Sequence, residues 1–129
     1  MSEHTEQVAV VSWFKGRWPH FADCIIGIPN GAHIAGSVGQ RAAKVKKLKA
    51  EGMKPGASDL FIAVPMGNRC GLWVEMKNVN KTLCSVSKDQ RDHLDLMRKV
   101  GYEAIWCSGF EVAKAAIEVY MNGGAHERA

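Results

Sequence analysis

The sequence predicts a three-layer α/β domain in which a mixed sheet of four strands lies between helices. Segments with helical and strand-like patterns follow one another as helix, strand, basic helix, strand, strand, helix, strand, helix. The strand-like segments are nearly continuous apolar runs, which is typical of a sheet covered on both faces. The chain has 129 residues, enough for one domain that buries a core without disulfide or metal cross-links.

The first helix is expected at 3–14, because Glu6 and the apolar residues of this segment recur at helical spacing. Ser2 or Thr5 can accept a hydrogen bond from the first turn and so cap it. Glycine and proline follow and end the helix. The short apolar run at 24–28 is expected to be the first strand.

The second helix is expected at 40–51, after a turn at Asn30-Gly31 and a glycine-containing loop, and Gly52 provides its C-cap. The segment from residue 41 to residue 54 contains six basic residues and one acid. Its net charge of +5 therefore exceeds the +4 of the whole chain. This local positive charge indicates contact with a polyanion. The six basic residues are Arg41, Lys44, Lys46, Lys47, Lys49 and Lys54.

The second half of the chain begins with a hairpin, whose strands are expected at 59–64 and 71–77 and whose connection contains Gly67. Ser87 and Gln90 form the pattern of a capping box, which opens a third helix that ends at Gly101. The last strand and the last helix are expected at 103–107 and 111–121.

Two carboxylates occupy unusual positions in these otherwise apolar strands. If the hairpin turns about Gly67, Asp59 lies opposite Glu75, with Cβ atoms about 5 Å apart. Carboxylates this close repel each other unless they are protonated or bridged by a cation, and a hard divalent ion is the natural bridge. Lys77 shares the face of Glu75, where its charge can orient a water molecule or stabilise a phosphate.

The same residues also admit simpler roles. Asp59 can cap a loop, while Glu75 and Lys77 form a surface pair on an edge strand. Gln90 points inward with the apolar stripe of its helix, either as a capping-box member only or as a ligand-binding group as well. Glu6 can lie close to the carboxylates of Asp59 and Glu75, or it can be an ordinary first-turn acid that the helix dipole favours.

Together, Asp59, the Glu75-x-Lys77 string on the next strand and a helix opening with Gln90 resemble the PD-(D/E)XK nuclease superfamily. More narrowly, residues 2 to 120 resemble a small phage-type VRR-NUC (virus-type replication-repair nuclease) domain. The resembling stretches are 2–10, 28–31, 48–60, 71–77, and Gln90 followed by Gly101-Tyr102. The resemblance implies a restriction-endonuclease-like fold, with one domain at 1–122 and a flexible tail at 123–129.

The resemblance also implies a metal-dependent phosphodiesterase. Asp59 and Glu75 are then expected to hold Mg²⁺ or Mn²⁺, with the carbonyl of Met76 as a further ligand. Lys77 is expected to act on the attacking water, and Gln90 matches the glutamine that the family carries on this helix.

The N-terminal acid of the family's site corresponds to Glu6 or Glu3, and Glu6 is preferred because Glu3 lies in the turn most prone to fraying. One departure from the superfamily precedes the acid at position 59. Ala57-Ser58 stands where a proline is common, at a position that shapes the turn.

The expected function is that of an endonuclease. The six basic residues of segment 41–54 and Asn30 are expected to bind DNA, with the basic helix contacting backbone phosphates. The resemblance implies branched DNA, such as four-way junctions, as substrate and a homodimer as the active form. The last helix, apolar around most of its circumference, is a candidate interface. The alternatives are a DNA-binding module without catalysis and a sequence-specific nuclease of the restriction type.

Several other classes of protein are not expected. No apolar run approaches the roughly 20 residues of a membrane span, and the N-terminus lacks the pattern of a signal peptide, so a cytoplasmic protein is expected. The four cysteines lack the spacing of a zinc site and are expected to be buried, reduced thiols. The glycine-spaced segment 31–37 lacks the lysine of a P-loop.

Overall fold

A computed structural model of the protein describes residues 2–29 and 35–124. Within these ranges, four helices and four strands follow one another in the predicted order, with two short 3₁₀ helices at Pro19–Cys24 and Leu83–Ser85. The helices are α1 (Glu3–Arg17), α2 (Val38–Ala50), α3 (Lys88–Lys99) and α4 (Phe110–Met121). The strands are β1 (Ile25–Gly27), β2 (Leu60–Ile62), β3 (Leu72–Lys77) and β4 (Glu103–Ser108).

The four strands form one mixed sheet in the order β1-β2-β3-β4, which confirms the predicted fold class. β1 and β3 both run antiparallel to β2, whereas β4 runs parallel to β3. A parallel pair needs a crossover connection, and α3 provides it. β3 is therefore an interior strand with neighbours on both sides.

The side chains of β3 alternate between the two faces of the sheet, and helices cover both faces. Leu72, Val74 and Met76 point into the main core, which α1 and α4 close with residues such as Val10 and Ile117. On the opposite face, the aromatic side chains of β2 and β3 pack with His93 of α3, which forms the third layer.

The hairpin between β2 and β3 has the predicted register. Met66 and Arg69 exchange two backbone hydrogen bonds around Gly67, whose φ of 58° suits glycine at this turn. One residue more lies between Ile62 and Met66 than between Arg69 and Leu72, so that Phe61 pairs with Trp73. Their ring centroids lie 4.5 Å apart. The same register, continued beyond Leu60, places position 59 opposite position 75.

Two helices are longer at one end than the sequence pattern indicated. α1 continues one turn beyond the expected 3–14, because Phe14 and Trp18 pack together and the Trp18 N–H donates to the Phe14 carbonyl at 2.9 Å. α2 begins two residues earlier than expected, because Ser37 and Gln40 form a complete capping box. The 3₁₀ helix that follows α1 was not predicted either.

α2 contributes almost nothing to the core. None of its residues is buried, and Val38 is 76% exposed. An isolated helix of this length is only marginally stable in water, so its capping box is an important local support. The result is a basic helix that presents most of its surface to solvent.

The cysteines differ in their surroundings, so the expectation of uniformly buried thiols was wrong. Cys107 is buried, Cys24 is half-buried and Cys70 is exposed, and all three are free thiols. Cys70 is accessible because it lies in the hairpin connection and not in a strand. Within the described ranges, no helix has both the length and the apolar character required to cross a membrane.

Candidate active site

Asp59 and Glu75 meet at the start of β2, as the register predicted. Asp59 lies one residue before β2, and its Oδ2 accepts a hydrogen bond of 2.7 Å from the backbone N–H of Met76 on β3. Glu75 precedes Met76 and points to the face shared with Trp73 and Lys77. The two acids are 16 positions apart in the chain. The hairpin register and the alternation of side chains along β3 bring them together.

Glu75 is an unusual residue for the interior of a sheet, since only 2% of its surface is exposed. Its Oε1 atom is buried and has no hydrogen-bond partner within the described part of the chain. Burial is the largest cause that raises the pKa of Glu75, to about 9, and the hydrogen bond with Asp59 and the negative charge of Asp59 raise it further. Lys77 opposes these effects.

This geometry excludes the simpler reading of the pair. Glu75 and Lys77 cannot form a surface pair on an edge strand, because β3 lies between β2 and β4 and Glu75 is buried. A crowded, buried carboxylate with an unsatisfied oxygen has the donor chemistry that a hard divalent cation requires. No group of three or more His, Cys, Asp or Glu side chains capable of holding a metal occurs among the described residues. The carboxylates of Asp59 and Glu75 are the side chains of this pair that could bind such an ion, and a complete ligand set would need further oxygen atoms from backbone or solvent.

Lys77 ends β3 and is half-buried. Its backbone carbonyl accepts a hydrogen bond of 2.9 Å from the Gly109 N–H, and it pairs with Ser108 of β4. The turn into α4 thus holds the end of β3 in place. The ammonium group stands on the same strand face as Glu75, and its positive charge lowers the pKa of that carboxyl.

The two N-terminal acids have different surroundings. Glu6 is buried, and its Oε2 accepts a hydrogen bond from the backbone N–H of Phe110, the first residue of α4. A carboxylate in this position is stabilised by the helix dipole. Glu3 is exposed, and its negative charge contributes to the raised pKa of Glu75. Both acids therefore lie at the end of the sheet that carries the carboxylate pair.

Gln90 forms the predicted capping box of α3. Its Oε1 accepts a hydrogen bond of 2.9 Å from the Ser87 N–H, and its own N–H donates to Ser87 Oγ at 3.2 Å. The half-buried side chain thus has a structural role at the start of the helix. Its amide NH₂ group is the part that remains suited to contact a ligand.

The predicted DNA-binding residues form an exposed basic surface on α2 and on the loop that follows this helix in the chain. Among them, the Lys44 Nζ donates to the Ala35 carbonyl at 2.9 Å. Asn30 lies outside the described residues. The exposed members of this surface are Arg41, Lys44, Lys46, Lys47, Lys49 and Lys54.

Sequence patterns missed a contact directly beside Asp59. Ser58 and His93 are both buried, and both the backbone N–H and the hydroxyl of Ser58 lie within hydrogen-bonding distance of His93 Nδ1, at 3.3 and 3.2 Å. One signal was present, because His93 lies within the inward stripe that Gln90 and Leu94 define on α3. Nothing in the sequence identified Ser58 as its partner.

Comparisons with known proteins bear on the family and the fold of this chain. The sequence matches the family model of the VRR-NUC domain over residues 2–111. A solved structure described as a VRR_NUC domain protein has a TM-score of 0.79 at 23% sequence identity, with 98% of this chain and 93% of that chain covered. At this identity the structural likeness shows a shared fold. The comparison with curated proteins finds no match.

Proposed function

Because the chain belongs to the VRR-NUC family, and so to the nucleases of the PD-(D/E)XK superfamily, we propose that it is a divalent-metal-dependent endodeoxyribonuclease. One observation carries this proposal. The hairpin register brings Asp59 against the strand that holds Glu75 and Lys77, and it leaves Glu75 buried with an unsatisfied oxygen. A module that only binds DNA has no need of crowded carboxylates facing a polyanion.

Asp59, Glu75 and the carbonyl of Met76 would hold Mg²⁺ or Mn²⁺. The N–H of Met76 faces Asp59, and the N–H and C=O of one strand residue point to the same side, which supports the carbonyl as a ligand. When bound, such an ion lowers the pKa of water and neutralises charge on a phosphodiester. Because the pKa of Glu75 is raised, this carboxyl would have to release a proton in order to act as a metal ligand.

The remaining groups orient and stabilise the reactants. Lys77 would orient the attacking water and stabilise negative charge on the phosphate, because its ammonium lies on the face of Glu75 at the end of β3. Gln90 would contact the substrate or a water molecule through its amide NH₂ group. We propose Glu6 as the N-terminal acid, since it is fixed beside the turn that holds Lys77, and Glu3 as the alternative.

The exposed basic surface on α2 would bind DNA phosphates. Its side chains lie in solvent, so their positive charge is available to a polyanion, and such contacts orient a duplex without reading its sequence. We propose branched DNA such as four-way junctions as the substrate, as the family resemblance implies.

Cutting two strands of a junction in step requires two active sites, and a twofold dimer is the common way to supply them. The outer side of α4 supports this arrangement. Val112 and Val119 are 44% and 45% exposed, and Ala115 lies between them on the same exposed stripe. We propose that this stripe forms the interface of a homodimer.

A cleavage assay tests the proposed function. Purified protein is incubated with linear duplex, flap and four-way junction DNA, with Mg²⁺, Mn²⁺ or a chelator. We expect cleavage that requires metal and is fastest on the junction, and no cleavage by the Lys77→Ala variant. Binding of DNA without cleavage under every metal condition would instead identify a binding module.

A further inference from the structure

Ser58, the residue before Asp59, is hydrogen-bonded to His93 on α3. Ser58 is fully buried, and its backbone N–H and its hydroxyl approach His93 Nδ1 on α3, at 3.3 and 3.2 Å. These hydrogen bonds connect residues 35 positions apart. They fix the peptide immediately before the proposed metal ligand.

The chemistry of the contact defines the state of the imidazole. A backbone N–H can only donate, so Nδ1 of His93 must accept, and the ring proton then lies on Nε2. Burial lowers the pKa of His93, with a smaller contribution from the charge of Lys54, which favours this neutral form. The ring is also held from a second direction, edge-on against Trp73 at 5.0 Å between centroids.

The same loop touches α3 at a second point. Gly56 has a φ of 84°, and a Cβ at this position would lie 2.6 Å from the backbone carbon of Asp89 in the first turn of the helix. Because that neighbour is backbone, the close approach requires glycine. The segment 56–58 is therefore held against α3 at both ends.

Asp59 directly follows this attached segment and precedes Leu60, the first residue of β2. Its carbonyl accepts a hydrogen bond of 2.8 Å from the Ile28 N–H, and its carboxylate reaches the Met76 N–H. The preceding peptide is held by Ser58 and His93. In the superfamily that the chain resembles, a proline often stiffens this turn, whereas here two hydrogen bonds to a histidine do so.

We propose that His93 is a positioning residue, which acts through Ser58 to hold the Asp59 carboxylate at the metal site. The proposal rests on the proposed function, since it concerns the same site. Loss of a group that hydrogen-bonds to a metal ligand typically changes metal affinity or activity by about 10- to 100-fold. His93 acts one residue further away, through Ser58, so we expect an effect at the lower end of this range. His93 would thus be needed for tight metal binding without touching metal or DNA.

Three variants and a control test this role. His93→Phe keeps a ring against Trp73 and removes the acceptor, whereas His93→Asn places an amide oxygen near the position of Nδ1. Ser58→Ala removes only the hydroxyl. Leu94→Val, at the neighbouring buried position of α3, destabilises the helix without changing the contact to Ser58.

The primary measurement is the affinity for Mn²⁺ without DNA, by titration calorimetry, with thermal unfolding of each variant alongside. We expect His93→Phe to weaken Mn²⁺ binding about tenfold, because loss of the Nδ1 acceptor would displace Ser58 and with it Asp59. His93→Asn should recover most of that loss, and Ser58→Ala should shift affinity in the same direction as His93→Phe. Leu94→Val should lower the unfolding temperature and leave Mn²⁺ affinity at the parental value.

Two results would overturn the proposal: parental Mn²⁺ affinity in folded His93→Phe, or no recovery in a His93→Asn variant that unfolds at the same temperature. If His93→Phe does not fold, unchanged affinity in Ser58→Ala overturns it instead. A parental protein that binds Mn²⁺ through Asp59 but cuts no DNA would refute the nuclease and leave the role of His93 standing. A parental protein that binds no Mn²⁺ would refute both.

Discussion

Glu75→Gln offers a direct test of the buried carboxylate pair. The carboxyl of Glu75 has its pKa raised from 4.5 to about 9, first by burial and then by Asp59. In the metal-free folded protein it therefore keeps a proton that the unfolded chain releases above about pH 4.5. Its contribution to stability is complete below the unfolded pKa and is lost as the pH rises towards the folded pKa.

The size of the effect follows from one proton bound only in the folded state. Between the two pKa values, the free energy of unfolding should fall by about 1.4 kcal/mol per pH unit. From pH 7 to pH 8.5 the loss is about 2 kcal/mol. At about 4 °C per kcal/mol for a domain of this size, this lowers the unfolding temperature by roughly 8 °C. Glutamine has the shape of the protonated acid and no charge to bury, so Glu75→Gln should remove this slope.

The assay is thermal unfolding of metal-free protein at several pH values between 7 and 8.5. Burial lowers the pKa of His93, so this residue takes up a proton on unfolding mainly near and below its ordinary pKa of 6.5, which lies outside this range. Saturating Mn²⁺ should then stabilise the parental protein, by about 2.7 kcal/mol at a hundred times the dissociation constant, and should not stabilise Glu75→Gln. Glu51→Gln, at an exposed acid, is the matched control and should keep the parental slope.

The reasoning fails if parental protein and Glu75→Gln lose stability equally with rising pH. It also fails if Mn²⁺ stabilises both proteins to the same extent, because the ion would then bind without this carboxylate.

Three other variants test the proposed chemistry, DNA contact and assembly. Lys77→Ala should abolish cleavage and retain Mn²⁺ binding in calorimetry, and a parental cleavage rate would disprove its role. Reversing three charges of α2 to Glu should weaken binding to every DNA sequence and flatten the plot of log K against log salt by roughly one unit per lost phosphate contact; an unchanged slope would mean a merely solvated helix face. The three positions are Lys44, Lys46 and Lys47. Light scattering should give twice the 14.1 kDa chain mass, and Val119→Glu should halve it; a parental monomer that cuts junctions symmetrically would rule out the dimer.

The pairing of Asp59 with Glu75 could be predicted from the sequence because it depends on local rules. The glycine-containing connection and the hydrophobic pattern of the strands together set the register, and alternation along a strand sets the face of each side chain. The same holds for the capping box at Ser87, for the inward stripe of α1 and for the order of helices and strands. Each of these patterns involves residues a few positions apart or one hairpin, so the chain's own geometry determines them.

The surroundings of those residues depend on contacts between distant parts of the chain. Glu75 is buried because β4 and the helices close around β3, whereas the sequence equally allowed an edge strand. Glu6 meets Phe110 across 104 positions, and Ser58 meets His93 across 35. No spacing rule links such pairs, since their separation is set by how the layers pack. The sequence by itself determined which groups can carry the chemistry. Only the tertiary structure decided which of these groups are buried, charged and held in place, because burial and long-range hydrogen bonds exist only once the layers have assembled.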